Sequence, residues 1–255
     1  MELMETAAIV TGGASGLGAA TADALAKRGA TVYVFDLKTS NDAVRGSSTL
    51  AGVEYVDVDV TDPDAVREAV ARAAAGTEPL RVVVNCAGIA PSERILGKRG
   101  VHSLDAYAKV IGVNLVGSFN VMALAAEQIA KTSTDAHGQR GLIVNTASIA
   151  AYDGQIGQAA YSSSKGGIVG LTLPAARDLA QHGIRVMTIA PGVMLTPMME
   201  TVSEEYRAGL AAGVPFPSRL GDVGEYAMLV LSIVDNDYLN GEVIRIDGAL
   251  RMAPR

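Results

Sequence analysis

Tryptophan is absent from these 255 residues, phenylalanine occurs three times and cysteine once. Without large aromatics, a core has to be built from aliphatic side chains. The lone Cys86 cannot form an intrachain disulfide, so a reducing, cytoplasmic setting is expected. The start, Met1-Glu2-Leu3-Met4-Glu5, has neither an apolar signal core nor an Arg-rich targeting pattern. No apolar run nears the roughly 20 residues needed to cross a bilayer, since glycine or polar residues interrupt each one; no membrane association is expected. Cations are outnumbered, with a formal net charge of −6. That balance argues against a nucleic-acid partner. The three histidines, His102, His137 and His182, are scattered and fit neither a metal set nor a hydrolase triad, and no Gly-x-Ser-x-Gly elbow exists. No metal is expected.

What the chain does have is 49% hydrophobic residues against 19% charged ones, enough for a large core. Short aliphatic runs predict strands at 7–10, 31–35, 54–58, 82–84, 142–145, 185–189 and 243–246. Longer Ala-rich patterns between them predict helices over 18–28, 64–75, 106–130, 159–180 and 223–234. This alternation predicts one α/β domain over residues 1–255, a doubly wound Rossmann-type seven-stranded parallel sheet with helices on both faces. Residues 39–52, 91–103 and 132–141 read as surface loops. The stretch 193–221, with three prolines and little strand character, reads as a lid over a substrate site.

Directly after the first strand comes Thr11-Gly12-Gly13-Ala14-Ser15-Gly16-Leu17-Gly18, running into a helix. Glycines permit a tight turn and close approach to a pyrophosphate, while the helix N-terminus offers free N–H groups. The second strand ends in Asp36, where a dinucleotide fold places the acid that holds the adenosine ribose and repels a 2′-phosphate. NAD is therefore favoured over NADP, with nearby Lys38 the one feature pulling the other way.

Tyr161 and Lys165, four apart, share a helix face, and Ser148 follows the fifth strand at the carboxyl edge of the sheet. A tyrosine base needs roughly 3 to 4 kcal/mol of phenolate stabilisation to work near neutral pH. An ammonium about 4 Å away supplies around 4 kcal/mol at an effective dielectric of 20. The three residues are expected to form a catalytic set in one crevice.

Together with Asn85-Cys86-Ala87-Gly88, Asn114 and Pro191-Gly192, these motifs resemble the short-chain dehydrogenase/reductase family over nearly the whole chain. Within it, 145–148, 157–161, 214–221 and 240–245 are similar to the branch acting on 3-hydroxyacyl-CoA thioesters and hydroxysteroids. The resemblance implies that Tyr161 takes the substrate hydroxyl proton, Lys165 lowers its pKa and holds the nicotinamide ribose, Ser148 binds the substrate oxygen and Asn114 holds a water linking Lys165 to solvent. It implies cofactor contacts at Gly12, Ser15, Gly16, Leu17, Gly18, Asp36, Asp59, Val60, Cys86, Ala87 and Gly88. Further contacts are implied at Val193, Met194 and Thr196, beyond Pro191-Gly192. Gln158 and Leu195 are expected at the substrate, with Met198, Met199, Val202, Leu210 and Phe216 as further candidates to line its pocket. Tyr152, Asp153 and Ile156 are expected to tune substrate at its mouth. Gly166, Gly167 and Gly170 allow close approach of another backbone, and the resemblance implies a homotetramer. Three functions stay open: a 3-hydroxyacyl-CoA dehydrogenase, a dehydrogenase of another hydrophobic alcohol such as a hydroxysteroid, and a noncatalytic NAD-binding scaffold.

Overall fold

In a computed structural model, which describes residues 1–46, 49–98, 100–200 and 203–254, the aliphatic runs become seven strands of one sheet. They are β1 (Ala7–Thr11), β2 (Thr31–Asp36), β3 (Val53–Asp57), β4 (Leu80–Asn85), β5 (Gly141–Thr146), β6 (Ile184–Pro191) and β7 (Val243–Ile246). The spatial order is β7-β6-β5-β4-β1-β2-β3, and every neighbouring pair is parallel. The chain returns to the centre after β3, so β1 and β4 flank the point where strand order reverses. Loops at their carboxyl ends diverge and leave a crevice.

Side chains alternate across this sheet, and both faces are apolar. Ile9, Phe35, Val83, Ile143 and Val186 face α3 (Pro63–Ala74), α5 (Ser118–Ile129) and α6 (Ala159–Leu179). Their neighbours Val10, Val34, Val84, Val144 and Met187 face α1 (Gly16–Lys27) and α9 (Val223–Asp235). Burial on both faces explains why the strands read as continuous aliphatic runs.

Several local expectations need correction. Residues 39–52 are not all loop: Lys38–Arg45 form a helix, α2. Asn41 is buried there, and its Nδ2 donates to Asp36 O, Val56 O and Asp57 Oδ1 at 3.2, 3.1 and 2.8 Å. A polar, Ala-poor segment gives no helical signal; one hydrogen-bonding side chain docks it to the ends of β2 and β3. Within 91–103, Leu96–Gly97 and Gly100–Val101 pair as a short antiparallel hairpin.

The helix expected over 106–130 runs from Leu104 to Ile129, but α4 (Leu104–Ile111) and α5 flank a π turn over Gly112–Gly117. It is 26 residues long and holds an 18-residue window of mean hydropathy 1.5, enough to span a membrane by length and composition. Asp105, Lys109, Asn114, Asn120 and Glu127 interrupt it, as expected of each apolar run. Its Val121, Met122, Ala125 and Ile129 are buried against the sheet, which accounts for the hydropathy.

The stretch 193–221 is also more ordered than expected. Met194–Leu195 pairs with Gly221–Asp222, enclosing the short α7 (Pro197–Glu200) and α8 (Glu204–Ala212).

Candidate active site

The turn after β1 owes its shape to two glycines. Gly12 has φ of +65°, and a Cβ there would lie 2.8 Å from Ala87 Cα and N. Gly18 packs so closely on Gly12 O that any side chain would collide with it. The turn is therefore pressed against the loop leaving β4, where Cys86 N and Ala87 N both donate to Thr11 Oγ1 at 3.1 Å. The Ser15 side chain does not cap α1, and no acid occupies the helix's first turn. An uncapped helix N-terminus behind a side-chain-free turn fits a pyrophosphate, held by N–H groups and the helix dipole. Thr196 faces it across Gly16, with Cγ2 3.5 Å from where a Cβ would be.

Asp36 closes the far end of this turn. Its Oδ2 accepts from Ala14 N at 3.0 Å and its Oδ1 from Leu37 N at 2.8 Å, which fixes the carboxylate beside the glycine turn. Lys38 points its charge elsewhere, pairing with Asp42 at 2.9 Å. Asp59 is exposed and accepts from Thr61 N and Oγ1, while Val60 is buried against Gly117.

Leu17, Cys86, Gly88, Met194 and Thr196 come together with Ser148, Tyr161 and Lys165 around one cleft of about 220 Å³. Its wall also includes Ile89, Ala90, Thr146 and Ala147, none of which the sequence analysis assigned to the site. Gln158 and Val193 are not on this wall: Gln158 Oε1 accepts from Gln155 N at 2.9 Å, and Val193 lines a separate cavity with Val214 and Asp247. Nor do Leu195, Met199, Leu210 and Phe216 reach it; Phe216 is 83% exposed. Val202 and the Met198 side chain lie outside the described residues. A lid's apolar residues read alike whether they face inward or outward, and spacing in a non-repeating segment does not decide it.

Ser148 caps a short 3₁₀ turn, its Oγ accepting from Ala150 N at 3.1 Å, and shares the cleft wall with Tyr161. Lys165 is buried, and its Nζ donates to Thr146 O at 2.7 Å. It sits 5.8 Å from the Tyr161 ring centroid. Burial pulls the Lys165 pKa down to about 8. Burial pushes the Tyr161 phenol up, and the nearby Ser148 hydroxyl offsets this only in part. The expected acidification of Tyr161 by a close ammonium is therefore not built into the protein alone: the lysine is anchored to a backbone carbonyl and is itself desolvated. Cys86 Sγ lies against Thr146 Oγ1 and Tyr226 OH at 3.6 and 3.7 Å, its thiol pushed up by burial. It is a packed thiol and not a nucleophile.

Asn114 sits inside the π turn, fully buried. Its Nδ2 donates to Ile89 O and Ser164 Oγ at 2.9 and 3.0 Å, and its Oδ1 accepts from Ile89 N at 2.8 Å. It thus ties the cleft wall to the catalytic helix, and π turns often mark functional positions of this kind. Gly88 fits between them, a Cβ there lying 3.2 Å from Asn114 Oδ1 and 3.6 Å from Lys165 Nζ.

The rim after Ser148 is fastened by contacts no local pattern reveals. Arg245 in β7 reaches Asp153 and Asp247, both at 2.7 Å, and lies 5.2 Å from the Tyr152 ring centroid. Gln155 Nε2 donates to Ala253 O at 2.9 Å and Ile156 N to Pro254 O at 3.1 Å.

Residues 6–207 match the family described as short chain dehydrogenase. The chain is 51% identical to 3-hydroxyacyl-CoA dehydrogenase type-2 of Bos taurus, over 97% of this chain and 95% of that one. It is also 51% identical to the protein of that name from Drosophila melanogaster, over 96% and 97%. The crystal structure of 3-hydroxyacyl-CoA dehydrogenase type-2 from Mycobacterium avium superimposes with a TM-score of 0.92, at 42% identity and full coverage of both chains.

The depressed Lys165 pKa yields a stability test. In the unfolded chain the lysine binds its proton up to its ordinary value of 10.5, in the folded chain only to about 8. The penalty, roughly 3 kcal/mol, is full below pH 8, shrinks as pH rises through that window and vanishes above it. Lys165→Met should therefore be more stable than the parent to urea at pH 7, even after losing about 1 kcal/mol at the orphaned Thr146 carbonyl. The gain should fade towards pH 10.5. A variant less stable at pH 7, or with a pH-independent difference, would show that the ammonium is not destabilised in the fold.

Proposed function

The chain belongs to the short chain dehydrogenase family, whose members use NAD(P), and from that premise we propose that it interconverts 3-hydroxyacyl-CoA and 3-oxoacyl-CoA with NAD. The carrying observation is the convergence of Ser148, Tyr161 and Lys165 on the cleft that the glycine turn opens. The acyl-CoA substrate follows from relatives of that name at about half identity over nearly the full chain. Preference for NAD over NADP is supported by the fixed Asp36 carboxylate and by a Lys38 already paired.

When bound, the nicotinamide supplies a hydride acceptor or donor. The protein's own part is proton handling and positioning. Ser148 Oγ keeps its hydroxyl proton to donate, because the Ala150 N–H uses it only as an acceptor; it can orient a substrate oxygen beside Tyr161. With its pKa raised by burial, Tyr161 holds its proton at neutral pH and is poised to give it to a carbonyl oxygen. Reduction of a 3-oxoacyl group suits this state, and the reverse reaction requires the phenolate. Lys165 is charged below about pH 8 and stabilises negative charge developing at the phenol. We keep Asn114 as the residue that orders the path from Lys165 to solvent, since it braces Ile89 and α6 on that side. The buried thiol of Cys86 suits a reducing, cytoplasmic location.

We further propose a homotetramer. Gly167 lets α6 pack on Leu115 of its own chain, but Gly166 and Gly170 face open space. A shallow groove beside them exposes Val116 and Phe119 at 55% and 51%. Apolar surface of this kind along two long helices suits a second copy.

The activity is tested with acetoacetyl-CoA, longer 3-oxoacyl-CoAs and hydroxysteroids, each with NADH and NADPH. Acetoacetyl-CoA with NADH should turn over well at pH 7, with oxidation of the 3-hydroxy thioester gaining as pH rises. Tyr161→Phe should lower kcat in both directions by about 10²- to 10⁴-fold. Turnover of a steroid alcohol but no thioester would replace the substrate; NADH binding without any turnover would leave a scaffold. Asp36→Ala should raise KM for NAD roughly tenfold, about 1.4 kcal/mol, and relax rejection of NADP; an unchanged cofactor preference removes Asp36 from the site. Phe119→Glu should break the assembly in sedimentation experiments. A parent protein that sediments as a monomer refutes the tetramer.

A further inference from the structure

Asn41 is fully buried, although the helix that carries it, α2, is polar and mostly exposed. Its Nδ2 meets three acceptors, Asp36 O, Val56 O and Asp57 Oδ1, which fixes the orientation of the amide. Its Oδ1 is buried and has no hydrogen-bond partner among the described residues. An unpaired buried carbonyl costs stability, and a leucine would fill the same space without that cost. The amide is therefore kept for its donor side.

That side holds the main chain of Asp36. Asp36 O accepts from Val58 N at 2.9 Å as well as from Asn41, while the Asp36 carboxylate accepts from Ala14 N and Leu37 N. Two residues on, α2 begins at Lys38 with no side chain capping its N-terminus. Ser40 N and Asn41 N both donate to Leu37 O at 3.0 Å, so the first turn of α2 is continuous with the end of β2. An uncapped helix N-terminus favours anions, and here it adjoins the carboxylate that would repel a 2′-phosphate. Which of the two faces the adenosine ribose depends on how α2 is seated against β2. Arg45 also fastens α2, at Tyr55 O and Asp57 at 2.7 and 3.1 Å, but on β3 and from the exposed end of the helix. Of these two side chains, Asn41 is the one that reaches Asp36.

Resting on the NAD reading above, we propose that Asn41 is a positioning residue for cofactor discrimination: by seating α2 against the ends of β2 and β3, it keeps the Asp36 carboxylate, and not the helix N-terminus, at the adenosine ribose. Asn41 lies beside the end of β2, whereas Ser148, Tyr161 and Lys165 gather in the cleft beyond β4 and β5. It acts on the affinity and choice of nucleotide and leaves the proton-transfer step alone.

The test is a double-mutant cycle on the full-length protein: parent, Asn41→Leu, Asp36→Ala and the pair combined. Affinities for NADH and NADPH are read by fluorescence titration, and kcat and KM with acetoacetyl-CoA are measured beside them. Asn41→Leu, of similar volume and without a donor, should weaken NADH binding roughly five- to tenfold and move the NADH-to-NADPH affinity ratio about tenfold towards NADPH. Its kcat at saturating NADH and its KM for acetoacetyl-CoA should match the parent's. With Asp36 already replaced, Asn41→Leu should move the ratio by under about twofold, because the two residues act through one carboxylate. A shift of equal size in both backgrounds would assign Asn41 to general stability and overturn the proposal. So would a parent-like ratio in Asn41→Leu, or a fall in kcat with both KM values rising together. Should Asn41→Leu fail to fold, Asn41→Ala takes its place in the cycle and is judged by the same outcomes. If Asp36→Ala alone keeps the parent's ratio, the NAD reading itself fails, which is a separate result.

Discussion

A buried ammonium that must be kept in place is the constraint around which the centre of this molecule is arranged. Lys165 donates to the carbonyl of Thr146, the last residue of β5, so α6 and that strand meet at one hydrogen bond. Thr146 is held in turn by Tyr226 of α9, Oγ1 to OH at 2.7 Å, and Cys86 Sγ fills the space between them. The same short stretch thus joins elements from both faces of the sheet. Desolvation makes the lysine costly to bury, which is why its pKa falls to about 8.

The crevice exists because strand order reverses between β1 and β4, and the sequence around that point is spent on keeping side chains out of it. Gly12, Gly18 and Gly88 each occupy a place where a Cβ would meet backbone or a catalytic group. Asp36 at one end and Ser148 at the other then mark how far a dinucleotide and its substrate have to reach along the carboxyl edge. In the function proposed above, proton chemistry lies on the β5 side and recognition of the cofactor's sugar on the β2 side.

Strand positions were legible because a sheet covered on both faces leaves unbroken aliphatic runs, and the glycine turn and the Tyr161, Lys165 spacing were legible because each is local. Ser148 was readable from its place after a strand. What escaped is nonlocal or polar. Helix α2 is docked by one asparagine, and the π turn at Asn114 looks like ordinary helix in any periodicity. The Asp153–Arg245 pair spans distant parts of the chain. Tyr161 shows a different limit: the residue and its partners were identified, but the direction of its pKa depends on burial and on where the lysine is tethered, which spacing does not reveal. Gln158, Leu195 and Phe216 have suitable chemistry and are not among the residues lining the cleft, a placement that spacing in a non-repeating segment does not decide.

The rim contacts carry a consequence for how the molecule comes into being. Asp153 is held by Arg245, Gln155 by the carbonyl of Ala253 and Ile156 by that of Pro254. During synthesis the cofactor half, β1 to β4, is translated long before these partners exist. The loop beside Ser148 can make these last contacts only once residue 254 has cleared the ribosome, so the rim of the cleft is among the latest parts of the molecule to be completed.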